Sequence, residues 1–340
     1  MNLLKRTALV NCLFLAVANI FAQGPNESGT YYANADGKKG EELKTAMAAI
    51  INTHSVLTYA ELWEAFKTTD VRSDGCVWDM YSGISNFTFG DDQDTGKNAS
   101  EGEVYNREHS FPKSWFGGNV EPMYTDLVHL VPTDKVVNNK RANYPFGETE
   151  SPTYTSSGGF SKLGPSSLSD YSGTVFEPND EYKGDFARIY FYMVTCYEDV
   201  VADWASNSES VMLSGNKYPA LASWALNMLL RWSAEDPVSE KEINRNAAVY
   251  SLQGNRNPYV DYPGLEEYVW GDLTSVAFDY ENYSPSASIE YNIVDISESD
   301  LIDVYTITGV KVRSDVDKAN ATKGLKKGIY IVNNKKCLVK

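Results

Sequence analysis

NREHSFPKSWFGG (Asn106–Gly118) and YTDLVHLVPTDKVVNNKRANYPFG (Tyr124–Gly147) form one dense polar block mid-chain, and the fold turns on how that block is read. It holds His109 and His129, two of only three histidines, so the search for a general base is short. Glu108 and His109 are neighbours. In an extended segment neighbouring side chains point to opposite faces, so one can hold a metal while the other faces a water. Pro112 and Gly117–Gly118 end regular structure soon afterwards. From Val136 to Asn143 the spacing suits a helix, with Asn138 and Arg141 three apart on one face. An amide oxygen is a hard ligand suited to Mg²⁺ or Ca²⁺. Lys140 and Arg141 can pair with phosphate. A carboxylate, an amide, a histidine and an arginine make a one-metal phosphodiester site. The competing reading is a polar hairpin-to-helix junction whose amides act as caps, and spacing alone leaves both open.

Outward from the block, apolar spacing predicts helices over Glu41–Ile51 (Leu43, Met47 and Ile50 on one face), Asp185–Val200, Ala220–Trp232 and Glu240–Gln253. The last should carry Ile243, Ala247 and Tyr250 on one side. Thr58 and Glu61 form a capping box before a further helix in TYAELWEAFK. CVWDMYS (Cys76–Ser82) reads as a buried strand, Gly90–Gly102 as a loop and Ser151–Asp180 as a long irregular stretch. His54, at a helix end, reads as a capping or surface residue. No HExxH, GxSxG or GxGxxG occurs. GDDQDTGKN (Gly90–Asn98) misses a phosphate loop: it is one residue too long, Asn98 replaces the hydroxyl residue, and three aspartates would repel phosphate.

At 340 residues the length suggests about two domains, and 42% hydrophobic with 22% charged residues is ordinary globular composition. A net charge of −16 excludes a protein that coats nucleic acid by bulk charge, but not a small local basic site. Residues 1–22 have a charged start (Lys5, Arg6), an apolar run and a small residue, Ala22, as expected for a secretory signal. That leaves Cys76, Cys196 and Cys337, an odd set that reads best as free thiols, although a Cys76–Cys196 bridge stays open. Residues 286–340 change to short alternating runs such as DVYTITGVKV and GIYIVNN, separated by Gly, Asn and Lys turns, and read as a small all-β sandwich. Residues 23–285 form the mainly helical body, so the class is α+β.

Four pieces of the body, REHSFPKSWFGG, DLVHLVPTDKVVNNKRANYPFG, KGDFARIYFYM (Lys183–Met193) and QGNRNPYVDYP (Gln253–Pro263), resemble the bacterial endonuclease I family, in family order over roughly 240 residues. The resemblance implies a ββα-metal fold, in which a short β-hairpin and a helix clasp one divalent cation. It implies His109 as general base and Glu108 and Asn138 as metal ligands. Arg141, placed with the catalytic residues, and Asn143 would shape the site or contact phosphate, and Lys113, Lys140 and Asn143 would bind substrate. Roles for Arg188, Asn255, Arg256 and Asn257 do not follow. Asn119 stands after Gly117–Gly118 where proteobacterial relatives have a phosphate-contacting Arg, so the metal, Arg141 or a nearby Lys such as Lys113 would have to answer for that charge. Val128 replaces a residue that is usually polar, so His129 reads as a supporting or core histidine. The tail, DVYTITGVKV…ATKGLKKGIYIVNNKKCLVK, resembles the C-terminal sorting domain of secreted Bacteroidetes proteins.

The implied protein is a secreted, cell-surface or periplasmic nonspecific endonuclease. Its cofactor would be one divalent cation, Mg²⁺ first with Ca²⁺ or Mn²⁺ as alternatives. Its partners would be the DNA or RNA backbone and, through the tail, the secretion machinery. It would act as a monomer with no obligate protein partner. Two other classes are open: an inactive, surface-displayed nucleic-acid binder, and a carbohydrate-active enzyme with paired carboxylates that needs neither metal nor His109.

Overall fold

A computed structural model describes residues 24–283, except 97, 208 and 209, and in the tail residues 301–306, 311–317, 320–326, 328–332 and 335–339. The expected signal (1–22), the expected domain boundary at 285/286 and the run SIEYNIVDI lie outside the described residues.

The helices are α1 (Gly40–Ile51), α2 (Leu62–Thr69), α3 (Lys135–Arg141), α4 (Lys183–Cys196), α5 (Val201–Trp204), α6 (Ser223–Glu235), α7 (Glu240–Gln253), α8 (Pro258–Asp261) and α9 (Leu265–Val269). The strands are β1 (Tyr105–His109), β2 (Leu130–Asp134), β3 (Tyr154–Thr155), β4 (Lys162–Pro165), β5 (Thr174–Glu177), β6 (Leu301–Thr306), β7 (Lys311–Asp317), β8 (Gly328–Val332) and β9 (Lys335–Val339). The class is α+β, as expected. Among the described residues the strands make three antiparallel sheets, β1-β2, β3-β4-β5 and β7-β6-β8-β9.

α4 is the axis of the body. Every residue from Gly184 to Cys196 is buried. Its run FARIYFYMVTC is apolar or aromatic around most of the circumference, which suits a helix enclosed on all sides. Each large apolar side chain withdrawn from water contributes about 1.5–3 kcal/mol, so packing rather than propensity holds it. α6 and α1 pack against it. α1 buries Leu43, Met47, Ala48 and Ile51, and Glu41 and Glu42 favour its N-terminus through the helix dipole. Thr58 and Glu61 exchange both capping bonds, and regular α2 follows from Leu62.

Two expectations are corrected, and a third gains detail. CVWDMYS is buried but is not a strand. Asp79 accepts from Tyr81 N–H, the Ser85 hydroxyl and Asp134 N–H, so a side chain satisfies backbone that a ladder would otherwise pair. Ser151–Asp180 is not wholly irregular, because β3, β4 and β5 lie within it. On α7, Ala247 and Tyr250 face outward, while Glu242, Arg245, Asn246, Val249 and Gln253 are buried. The inner face is polar because each charge meets a partner: Glu242 pairs with Arg188 and Arg245 with Asp70. In the tail, the described residues form a single four-stranded sheet with no second layer among them, so the sandwich remains an expectation.

Candidate active site

The site is assembled by three consecutive elements. β1 and β2 pair antiparallel, with Glu108 opposite Val131 and His109 opposite Leu130. α3 begins directly after β2, since Asp134, the last strand residue, is also the N-cap. Its carboxylate accepts from Val136 and Val137 N–H at 2.8 and 3.0 Å. With no linker, the first turn of α3 lies back over β1. Asn138 Nδ2 donates to Asn106 Oδ1 at 2.8 Å, and Asn106 shares a strand face with Glu108.

Glu108 is 4% exposed. Its Oε1 accepts from the Tyr81 hydroxyl at 2.9 Å and from Arg141 at 2.8 Å. Burial pushes its carboxyl above the usual range, and Arg141, Tyr81 and Asn138 pull the other way. Oε2 and the Asn138 Oδ1 are hard oxygen donors of the kind Mg²⁺ and Ca²⁺ prefer, so this pair fits a divalent cation.

His109 lies on the opposite face of β1. Its Nε2 donates to the Tyr124 carbonyl at 3.0 Å, which fixes the tautomer and leaves the Nδ1 lone pair as the basic position. Its ring lies near-parallel to Tyr124 at 5.2 Å and Tyr59 at 6.1 Å. Burial first, then nearby His129, lowers its pKa to about 3, so the imidazole is neutral at pH 7. His129 is buried, donates to the Met123 carbonyl at 2.7 Å and packs against His109, a supporting position.

Of the two roles expected of Arg141, its placement suits the site-shaping one. It is 1% exposed. Its guanidinium donates to Glu108, the carbonyls of His109 and Ser110, and the Tyr190 hydroxyl. With no face toward solvent, it positions Glu108 and the end of β1. Lys113 is exposed, bonds Asn119 Oδ1 at 2.9 Å and lies over the Tyr124 ring, on the His109 side. Lys140 and Asn143 are exposed at the far end of α3, with Lys140 over Tyr154, and neither bonds Glu108 or His109.

Arg188, Asn255, Arg256 and Asn257 are buried and structural. Arg188 pairs with Glu242 and Arg256 with Asp261. Asn255 donates to the Ile51 carbonyl and the Tyr192 hydroxyl, and Asn257 caps α8. His54 is not a surface residue: its imidazole is buried, 3.1 Å from the Tyr197 hydroxyl and 3.8 Å from Asp126. His54, Asp126 and Cys196 together offer three possible metal-ligand atoms. Asp126, however, already accepts from Tyr192, Tyr197, Gln253 and Val128 N–H, which fills its lone pairs. The cluster therefore reads as a hydrogen-bond network joining α1, α4 and α7. Cys76 and Cys196 are free thiols.

Strand alternation could have found Asn106 and Arg107 beside the EH pair. Tyr81 and Tyr190 carry no local signal, since only the fold brings them to Glu108 and Arg141.

The sequence profile of the Endonuclease I family matches residues 39–264. The chain is 35% identical to the extracellular ribonuclease of Bacillus subtilis (strain 168) over 253 residues, 72% of this chain and 79% of that protein. The extracellular ribonuclease of Bacillus amyloliquefaciens is also 35% identical, over 251 residues and the same shares. Endonuclease-1 of Buchnera aphidicola subsp. Baizongia pistaciae (strain Bp) is 26% identical over 181 residues, 48% of this chain and 64% of that protein. The profile match spans the β1–β2–α3 site and the helices that enclose it, and on that ground the chain belongs to the endonuclease I family.

Proposed function

We propose that this protein is a secreted, divalent-metal-dependent endonuclease that hydrolyses phosphodiester bonds of DNA or RNA and leaves 5′-phosphate ends. The observation that carries the reading is the placement of Glu108 and Asn138 together on one side of β1 and of a neutral, tautomer-fixed His109 on the other. Family membership supports nuclease chemistry, and the names of the two Bacillus relatives support secretion.

His109 Nδ1 takes the proton of a water, which attacks phosphorus in line with the leaving 3′ oxygen. Nε2–H on Tyr124 holds the ring and shares the charge that this proton brings. Glu108 and Asn138 would hold Mg²⁺, with Ca²⁺ or Mn²⁺ as alternatives. When bound there, the cation supplies Lewis-acid stabilisation of charge on the phosphate oxygens. Arg141 opposes the effect of burial on the Glu108 carboxyl and aims it. Lys113, Lys140 and Asn143, exposed around the site, would meet the backbone of the nucleic acid without reading its sequence. The tail would engage the secretion machinery, and the enzyme would work as a monomer.

The test is digestion of plasmid and total RNA by residues 23–340, in Mg²⁺ and in EDTA, beside His109→Ala. Rapid cleavage that needs both metal and His109 is expected, with a loss of about 10²–10⁴-fold in the variant. The DNA-to-RNA rate ratio names the preferred polymer. No cleavage in Mg²⁺, Mn²⁺ or Ca²⁺ would overturn the reading.

A further inference from the structure

Arg107 stands out electrostatically. Residues 24–283 contain seven arginines. Six of them have a carboxylate within ion-pair distance, namely Arg72, Arg141, Arg188, Arg231, Arg245 and Arg256. Arg107 has none among the described residues. In a chain of net charge −16, an arginine left without an acidic partner is not explained by bulk composition.

Its position is defined. Arg107 is on β1, two residues before His109, so the two side chains leave the same face of the strand. The guanidinium is held between two rings, 3.6 Å from the Tyr59 centroid and 4.2 Å from that of Trp63. One nitrogen, Nη1, donates to the Tyr59 carbonyl at 2.5 Å. Nε and Nη2 have no acceptor among the described residues. The residue is half-buried, so part of it meets solvent. Tyr59 in turn lies 6.1 Å from the His109 ring, which puts the guanidinium within about 10 Å of the imidazole. Lys113 lies over Tyr124, another ring of the same group. Two cations thus lie against the rings that stack on His109, while Arg141, the arginine the sequence favours for phosphate, is committed inside.

We propose that Arg107 is a phosphate-binding residue of the active site, holding a phosphate of the substrate strand beside the one that is hydrolysed at His109. A guanidinium offers five N–H donors in a planar fork that matches phosphate oxygens. The two rings fix the plane of that fork, so little side-chain freedom is lost when phosphate binds. Asp94, whose carboxyl feels the Arg107 charge, is already bonded to Lys135. The proposal rests on the nuclease reading above and adds to it the residue that grips the backbone.

The test compares wild type with Arg107→Met, which keeps the apolar stem between the rings but removes the charge, and with Arg107→Lys. Cleavage is measured over a series of salt concentrations, with thermal midpoints alongside. Each phosphate contact adds about one to the slope of log affinity against log salt. Arg107→Met should lose roughly 10–100-fold in kcat/KM at low salt, mainly through KM, and its salt slope should be shallower by about one. Arg107→Lys should recover the slope and part of the rate. An Arg107→Met enzyme with kcat/KM within about twofold of wild type and the same slope would overturn the proposal, whatever its thermal midpoint, and would leave Arg107 a packing residue. Wild type that cleaves neither polymer is a failure of the nuclease reading. Binding of a fluorescent oligonucleotide by the same three proteins then decides Arg107 separately, on the same slope criterion.

Discussion

Glu108 carries its carboxylate where only 4% of the residue meets water, and Arg141 supplies the counter-charge at 2.8 Å. Such a pair contributes little compared with an apolar replacement of both members, but breaking it leaves one charge buried and alone. Arg141→Met should therefore cost about 3–5 kcal/mol in urea denaturation. Activity should fall as well, because Glu108 loses the group that aims it. A variant of wild-type stability would mean that Glu108 finds another partner or gives up its charge. The sequence placed Glu108, His109, Asn138 and Arg141 in one block. It did not show that Arg141 faces inward, because its acceptors include backbone carbonyls, and these leave no mark in a residue pattern.

α3 is only seven residues long, so its position depends on its first turn. Asp134 holds that turn by accepting from Val136 and Val137, and it also accepts from Gly102 N–H in the segment leading into β1. Ser239 caps α7 in a similar way, in a capping box with Glu242, but away from Glu108 and Asn138. Replacing either cap with alanine should cost about 1–2 kcal/mol. The two should differ in catalysis. Asp134→Ala should lower the cleavage rate by shifting Asn138, and Ser239→Ala should leave it near wild type. Equal rates in the two variants would show that α3 is positioned by something other than its cap. α7 also shows what periodicity leaves out. Ile243, Ala247 and Tyr250 lie on one side, as spacing predicts, but the buried face carries Glu242, Arg245 and Asn246. Their partners Arg188, Asp70 and Asn257 come from distant segments that no local pattern contains.

Across the whole molecule, two charge effects act in the same direction. Net charge falls in magnitude as pH drops toward the pI of about 4.7, which relieves self-repulsion in the folded state. In addition, burial raises Asp79 and Asp236 from 3.8 to about 7. A carboxyl raised on folding binds more protons in the native state than in the unfolded one. Its contribution is present at low pH and is lost as pH rises from about 4 through 7. Thermal stability should therefore be higher near pH 5 than near pH 8. Asp236→Asn should shrink that difference, by on the order of 1–3 kcal/mol, since the amide stays neutral throughout. Stability that rises from pH 5 to pH 8 in wild type would mean that the paired carboxylates outweigh these two.

What the sequence determined by itself was the α+β class, most helix positions and the polar block that holds Glu108, His109, Asn138 and Arg141. These are written in local spacing: the EH pair, the short step from Asn138 to Arg141, and the caps. Only the tertiary structure decided which charges face inward, that the His54 ring is buried beside Asp126, that CVWDMYS is pinned by Asp79 rather than by a ladder, and that Arg107 stands on the His109 face of β1 with only Nη1 bonded among the described residues. Burial and pairing are properties of the groups that surround a residue, and for these residues the surroundings come from parts of the chain far away in sequence.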